Sequence, residues 1–97
     1  REAVTLFRSS LSAAGFDVSA GDSPIVPIII GDNDTALRFS GALEEEGIAA
    51  VAIRPPTVPE GTARIRFSLS AVHTDKELID AAARIRTVGL QLGVLSL

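Results

Sequence analysis

Three arginines carry most of the chemistry this sequence could do. Arg54 opens the run Arg54-Pro55-Pro56-Thr57-Val58-Pro59, and Arg64 and Arg66 follow it two residues apart. A guanidinium grips a carboxylate through two parallel N–H···O bonds, and does so best from a rigid mount. Prolines at 55, 56 and 59 fix φ and remove backbone donors, so 54–61 is a stiff loop and neither helix nor central strand. Between Pro56 and Val58, the Thr57 hydroxyl has few directions to take, which makes it a candidate contact. Beyond the loop the pattern alternates, with Ala63, Ile65, Phe67 and Leu69 on one face and Arg64, Arg66, Ser68 and Ser70 on the other. That is a half-buried strand, and it sets the two arginines about 6–7 Å apart on one side. Spacing alone leaves two readings open: an anchor for a small carboxylate, or solvated arginines on the open face of a sheet.

The remaining polar residues form no site. His73 is the single histidine, with no second ligand at a metal spacing. Ser68, Ser70 and Thr74 make no nucleophile constellation. Glu44-Glu45-Glu46 close a helix where the dipole disfavours them and read as a solvated face. Gly31-Asp32-Asn33-Asp34 is a turn and helix cap lacking the later ligands of a calcium loop. No catalytic residue and no metal ligand is expected within the chain.

The elements that must position the arginines follow from periodicity. Val4, Phe7, Leu11 and Ala14 have helical spacing and Gly15 follows as a cap, predicting a helix over 2–14. Ile25 to Ile30 is β-branched and bounded by turn residues, hence a strand; Pro27 within it points to an edge or a bulge. Asp32 or Asn33 caps a helix over 34–46, with Ala36, Phe39 and Leu43 inward and Gly47 ending it. Strands are predicted over 48–53 and 63–69. Thr74-Asp75-Lys76-Glu77 is a capping box opening a last helix over 75–93, with Leu78, Ala82, Ile85, Gly89 and Leu92 buried. The order αβαββα implies an α+β fold. It is a two-layer sandwich whose three-stranded, mainly antiparallel sheet carries the helices on one face. If the 63–69 strand lies between the other two, Arg64 and Arg66 face away from the helices, towards a second domain or a ligand.

Bulk properties exclude several functions. Ninety-seven residues, 46% apolar and 22% charged, form one domain over 1–97 with a single core. A net charge of −3 and only four aromatic residues, all Phe, argue against nucleic acid. The apolar runs are too short to span a membrane. The lack of cysteine fits a reducing cytosol. A chain that starts Arg1-Glu2-Ala3 and contains no methionine is expected to be a fragment of a longer one.

Three stretches also carry a family likeness. They are Ala52-Ile53-Arg54-Pro55-Pro56-Thr57-Val58-Pro59, Gly61-Thr62-Ala63-Arg64-Ile65-Arg66 and Ser70-Ala71-Val72-His73-Thr74. With Ser23-Pro24-Ile25-Val26-Pro27 and Ile30-Gly31-Asp32, they resemble the C-terminal domain of the α-oxoamine synthases. These are pyridoxal-phosphate (PLP) enzymes of fold type I. The resemblance implies the small domain of a cytoplasmic, homodimeric acyltransferase that condenses an amino acid with an acyl-CoA and releases CO2. The intact loop favours the branch joining L-alanine to pimeloyl-CoA in biotin synthesis. Aminoketobutyrate ligase and serine palmitoyltransferase types remain alternatives, as does a free-standing small-molecule-binding or assembly module. Through the resemblance Arg54 and Arg66 take the amino-acid carboxylate and Thr57 a substrate contact, while Arg64, His73 and Lys76 receive no role. The Schiff-base lysine and the cofactor-stacking residues belong to the family's large domain. The fragment alone is therefore expected to bind no PLP and to be inactive.

Overall fold

A computed structural model describes residues 2–18, 23–68 and 74–95. In chain order the elements are α1 (Glu2–Ala14), β1 (Asp17–Val18), β2 (Ile25–Gly31), α2 (Asn33–Glu45), β3 (Val51–Ile53), β4 (Ala63–Ser68) and α3 (Asp75–Gln91). The strands lie in the order β1-β2-β4-β3, every neighbouring pair antiparallel. β4 thus sits between β2 and β3, the arrangement expected of the α+β sandwich.

The sheet has four strands where three were predicted. After α1 the chain turns at Gly15, whose φ of 111° only glycine adopts without strain. Asp17 and Val18 then pair with Ile29 and Ile28. Two residues are too few to show a periodicity, which is why β1 escapes a reading by pattern. Pro27 lies just beyond that short partner: it faces Arg66 on β4 and has no described strand on its other side. The bulge in β2 lies further on, between Ile29 and Gly31.

Helix ends follow the expected caps. Asp32 Oδ2 accepts from the Thr35 amide at 2.8 Å and from Thr35 Oγ1 at 2.8 Å. These two bonds hold its carboxyl below the usual carboxylate range. The Thr74–Glu77 capping box is fully formed, with Thr74 N–H donating to Glu77 Oε1 at 2.8 Å and Glu77 N–H donating to Thr74 Oγ1 at 3.1 Å. α2 stops where the Ile48 amide turns back to the Leu43 carbonyl, which shortens β3 to Val51–Ile53 from the expected 48–53. Ser40 Oγ, donating to the Ala50 carbonyl at 2.9 Å, ties α2 to the entrance of β3.

The core lies between the sheet and the helices. Ala63, Ile65 and Phe67 of β4 and Val26 and Ile28 of β2 are buried against Phe7 and Leu11 of α1, Phe39 and Leu43 of α2, and Leu78 and Ile85 of α3. Phe7 meets Phe67 edge-on, with ring centroids 5.8 Å apart, and Phe16 stacks on Phe39 at 5.9 Å. The packing leaves one face of the sheet bare of helices. On it Arg64 stands between Ile29 and Ile53, and Arg66 between Pro27 and Val51.

Candidate functional site

The open face and the proline loop meet at one end of the sheet. β3 ends at Ile53, the cross-strand partner of Arg64, and Arg54 follows directly. The loop consists of two turns. The Thr57 amide donates to the Arg54 carbonyl at 3.1 Å, and the Thr62 amide donates to the Pro59 carbonyl at 3.2 Å. Thr62 Oγ1 reinforces the second turn by donating to the same Pro59 oxygen at 2.5 Å. A cis bond joins Pro55 to Pro56. Hydrogen bonds hold the backbone within each turn, while Arg54 and Thr57 stay exposed at its surface.

Arg66 is exposed and Arg64 half-buried, with Arg64 Nε donating to the Thr62 carbonyl at 3.1 Å. Arg54 and Arg66 are mounted about 10 Å apart along the strand direction, three residues at about 3.3 Å each. Two extended arginine side chains can close that distance on one carboxylate. The chemistry available here is anion capture and orientation. No group of three or more metal-ligating side chains occurs among the described residues, and no helix there is long and apolar enough to cross a membrane. His73 and Ser70 lie outside the described residues.

Two further features are not apparent from the sequence pattern. Asp17 places a carboxylate on the open face, in the same row as Ile29, Arg64 and Ile53. Arg8 on α1 is 8% exposed and donates through Nη2 to the Ser23 and Ile25 carbonyls at 3.1 and 2.9 Å, pinning the entrance of β2. A polar residue flanking an apolar stripe reads as surface, and only the tertiary contact reveals otherwise. A cleft of about 440 Å³ lies elsewhere, between Glu46–Ala49 and the first turns of α3, and none of the three loop and strand arginines lines it.

Residues 1–85 match the family described as aminotransferase class I and II. The chain belongs to the aminotransferase class I and II family. Within this family it is 52% identical over 90 residues to a putative 8-amino-7-oxononanoate synthase of Geobacillus kaustophilus, covering 93% of this chain and 23% of that protein. It is 46% identical over 92 residues to the 8-amino-7-oxononanoate synthase of Citrifermentans bemidjiense, covering 95% and 24%. Among solved structures, serine palmitoyltransferase of Sphingomonas wittichii superposes with a TM-score of 0.92 at 25% identity, covering 98% of this chain and 24% of that one. The 8-amino-7-oxononanoate synthase of Francisella tularensis superposes at 0.73 with 29% identity, covering 89% and 25%. These relatives are α-oxoamine synthases, so the likeness carried by the loop and strand motifs holds, as does the fold-type-I assignment. The chain spans about a quarter of the length of the relatives it matches.

One solved relative, serine palmitoyltransferase of S. paucimobilis, carries a PLP–myriocin aldimine. The described residues of this chain do not fit a PLP anchor. Lys76, its one lysine, is 88% exposed on the first turn of α3 and pairs with Asp80 at 3.5 Å. It belongs to the helical layer, whereas Arg64 and Arg66 occupy the other face of the sheet.

Proposed function

We propose that this chain is the C-terminal domain of a PLP-dependent α-oxoamine synthase of the 8-amino-7-oxononanoate type. That enzyme condenses L-alanine with pimeloyl-CoA, releasing CO2, in biotin synthesis. A large domain of the same protein supplies the cofactor lysine, and the enzyme works as a cytoplasmic homodimer. The domain's own task is to hold the amino acid. Arg54 and Arg66 take its carboxylate and Thr57 adds a hydroxyl contact. Fixing the carboxylate fixes which bond is presented to the cofactor, and positioning of this kind takes several kcal/mol off a barrier. Alone, the chain lacks the cofactor residues and is inactive.

The observation that carries this reading is the rigid Arg54–Pro59 loop placed at the Arg64 end of the open face, in a chain 46–52% identical to proteins named for this activity. A serine-specific reading has one point in its favour, since the superposition on serine palmitoyltransferase is tighter (0.92 against 0.73). Backbone likeness reports a fold that several activities share. The 46–52% sequence identity to two relatives named for the oxononanoate activity bears on the side chains and favours the alanine reading. The test uses the full-length protein loaded with PLP. Alanine, glycine and serine are titrated against the cofactor absorbance, and turnover is measured with pimeloyl-CoA. Alanine is expected to be the preferred amino acid, and Arg54→Ala and Arg66→Ala should each weaken its binding about ten- to hundred-fold, as expected for losing a charge-assisted hydrogen bond. A preference for serine with a long-chain acyl-CoA would replace this reading with the palmitoyltransferase one.

A further inference from the structure

Arg64 has no part in the carboxylate contacts above, yet it is the most constrained arginine of the three. Its neighbours across the sheet are Ile29 and Ile53, and its side chain is half-buried where Arg54 and Arg66 are exposed. The bond from Nε to the Thr62 carbonyl runs to a residue two positions back, so the guanidinium lies along β4 towards the loop instead of standing out from the sheet. Thr62 is the end of the loop's second turn, held to Pro59 through both its amide and its hydroxyl. Ile53, beside Arg64 on the other side, is bonded covalently to Arg54, where the first turn starts. One side chain therefore borders both feet of the loop.

We infer that Arg64 is a positioning residue: it fixes the exit of the proline loop at Thr62 and so holds Arg54 and Thr57 in the direction that receives the substrate carboxylate. The two turns are closed by hydrogen bonds within the loop, so each is rigid in itself. What those bonds leave free is the angle at which the loop leaves the sheet, and the Arg64–Thr62 bond acts on that angle. Lysine is not an equivalent at such a place. It keeps the charge but has no Nε–H part-way along the stem to reach back to a carbonyl on its own strand.

The inference rests on the proposed amino-acid-binding role, and the experiment separates the two. In the full-length PLP-loaded protein, Arg64→Met retains the stem between Ile29 and Ile53 and removes the hydrogen bond and the charge, while Arg64→Lys retains stem and charge. Both are expected to raise the Kd for alanine about ten-fold, the equivalent of one such hydrogen bond. The KM for the acyl-CoA should stay within about two-fold, because that substrate does not depend on the loop angle in this scheme. Amide hydrogen exchange in the peptide spanning 54–62 should be faster in both variants, a readout independent of turnover. A raised Kd with unchanged exchange would mean that Arg64 acts through its charge or by direct contact, and would overturn the inference, as would an unchanged Kd or full rescue by lysine. Should Arg54→Ala and Arg66→Ala also leave alanine binding intact, the failure lies in the proposed function itself. If Arg64→Met does not fold, Arg64→Lys decides the matter by the same two readouts.

Discussion

Gly89 and Gly41 both lie inside helices, yet alanine should have opposite effects at the two places. A Cβ at Gly89 would lie 2.7 Å from Phe16 Cζ, 3.1 Å from Phe16 Cε1 and 3.2 Å from Leu95 Cγ. Carbon atoms pack best at about 3.5–4.0 Å, so the Phe16 ring would have to retreat by about 1 Å. It has little room to do so, because it is 6% exposed and stacked on Phe39, which is 0% exposed. Overpacking of this kind costs about 1–3 kcal/mol, against which replacing a helical glycine returns about 1 kcal/mol. The net expectation for Gly89→Ala is a loss of about 1 kcal/mol, a Tm lower by about 4–8 °C in a domain of this size. At Gly41 a Cβ meets nothing within 4 Å, so Gly41→Ala should gain about 0.5–1 kcal/mol from the helical preference alone. Urea and thermal denaturation of the two variants, in the same background, give the comparison. If Gly89→Ala matched or exceeded Gly41→Ala in stability, the account of α3 packing on Phe16 would be wrong.

Other expectations concern the cap and the core. Asp32 has a folded pKa below its unfolded value, so its contribution is fully present above the usual carboxylate pKa and is lost as pH falls through the lowered folded one. Asp32→Ala should therefore be less stable than the parent at neutral pH, with the gap closing in acid; a gap constant down to the acid transition would contradict the capping geometry. Phe39→Ala removes a fully buried ring from the centre of the core and should cost about 3–5 kcal/mol, read as a lower urea midpoint. A loss under 1 kcal/mol would show that the ring is not packed as described.

Much of the fold was legible because its helices are amphipathic and clearly capped. The cap at Thr74 and the alternation through Ala63–Phe67 each point to one local answer, and the structure agrees with both; of Asp32 and Asn33 it takes Asp32 as the cap. What was missed depends on contacts distant in sequence. β1 exists because Asp17 and Val18 reach Ile29 and Ile28, not because of any preference in two residues. Arg8 is buried because two carbonyls from residues 23 and 25 converge on it, and no spacing within α1 announces that. For the site, alternation was enough to set Arg64 and Arg66 on one face. The relation of Arg54 to them required the β3–β4 register, which pairs Ile53 with Arg64.

The strand order has a consequence for how the chain is made. Among the described residues β4 is the last strand in chain order and an inner one in the sheet, pairing with β2 over separations from Ile25↔Ser68 to Gly31↔Ala63. Until a ribosome has released residues 63–68, β2 and β3 have no partner between them, and each presents an unpaired, apolar edge. Such edges invite pairing with other nascent chains. β3 and β4 form a hairpin across the proline loop and can zip as soon as β4 emerges, which ends that interval. The segment proposed to hold the substrate would then also be the one that limits aggregation during synthesis.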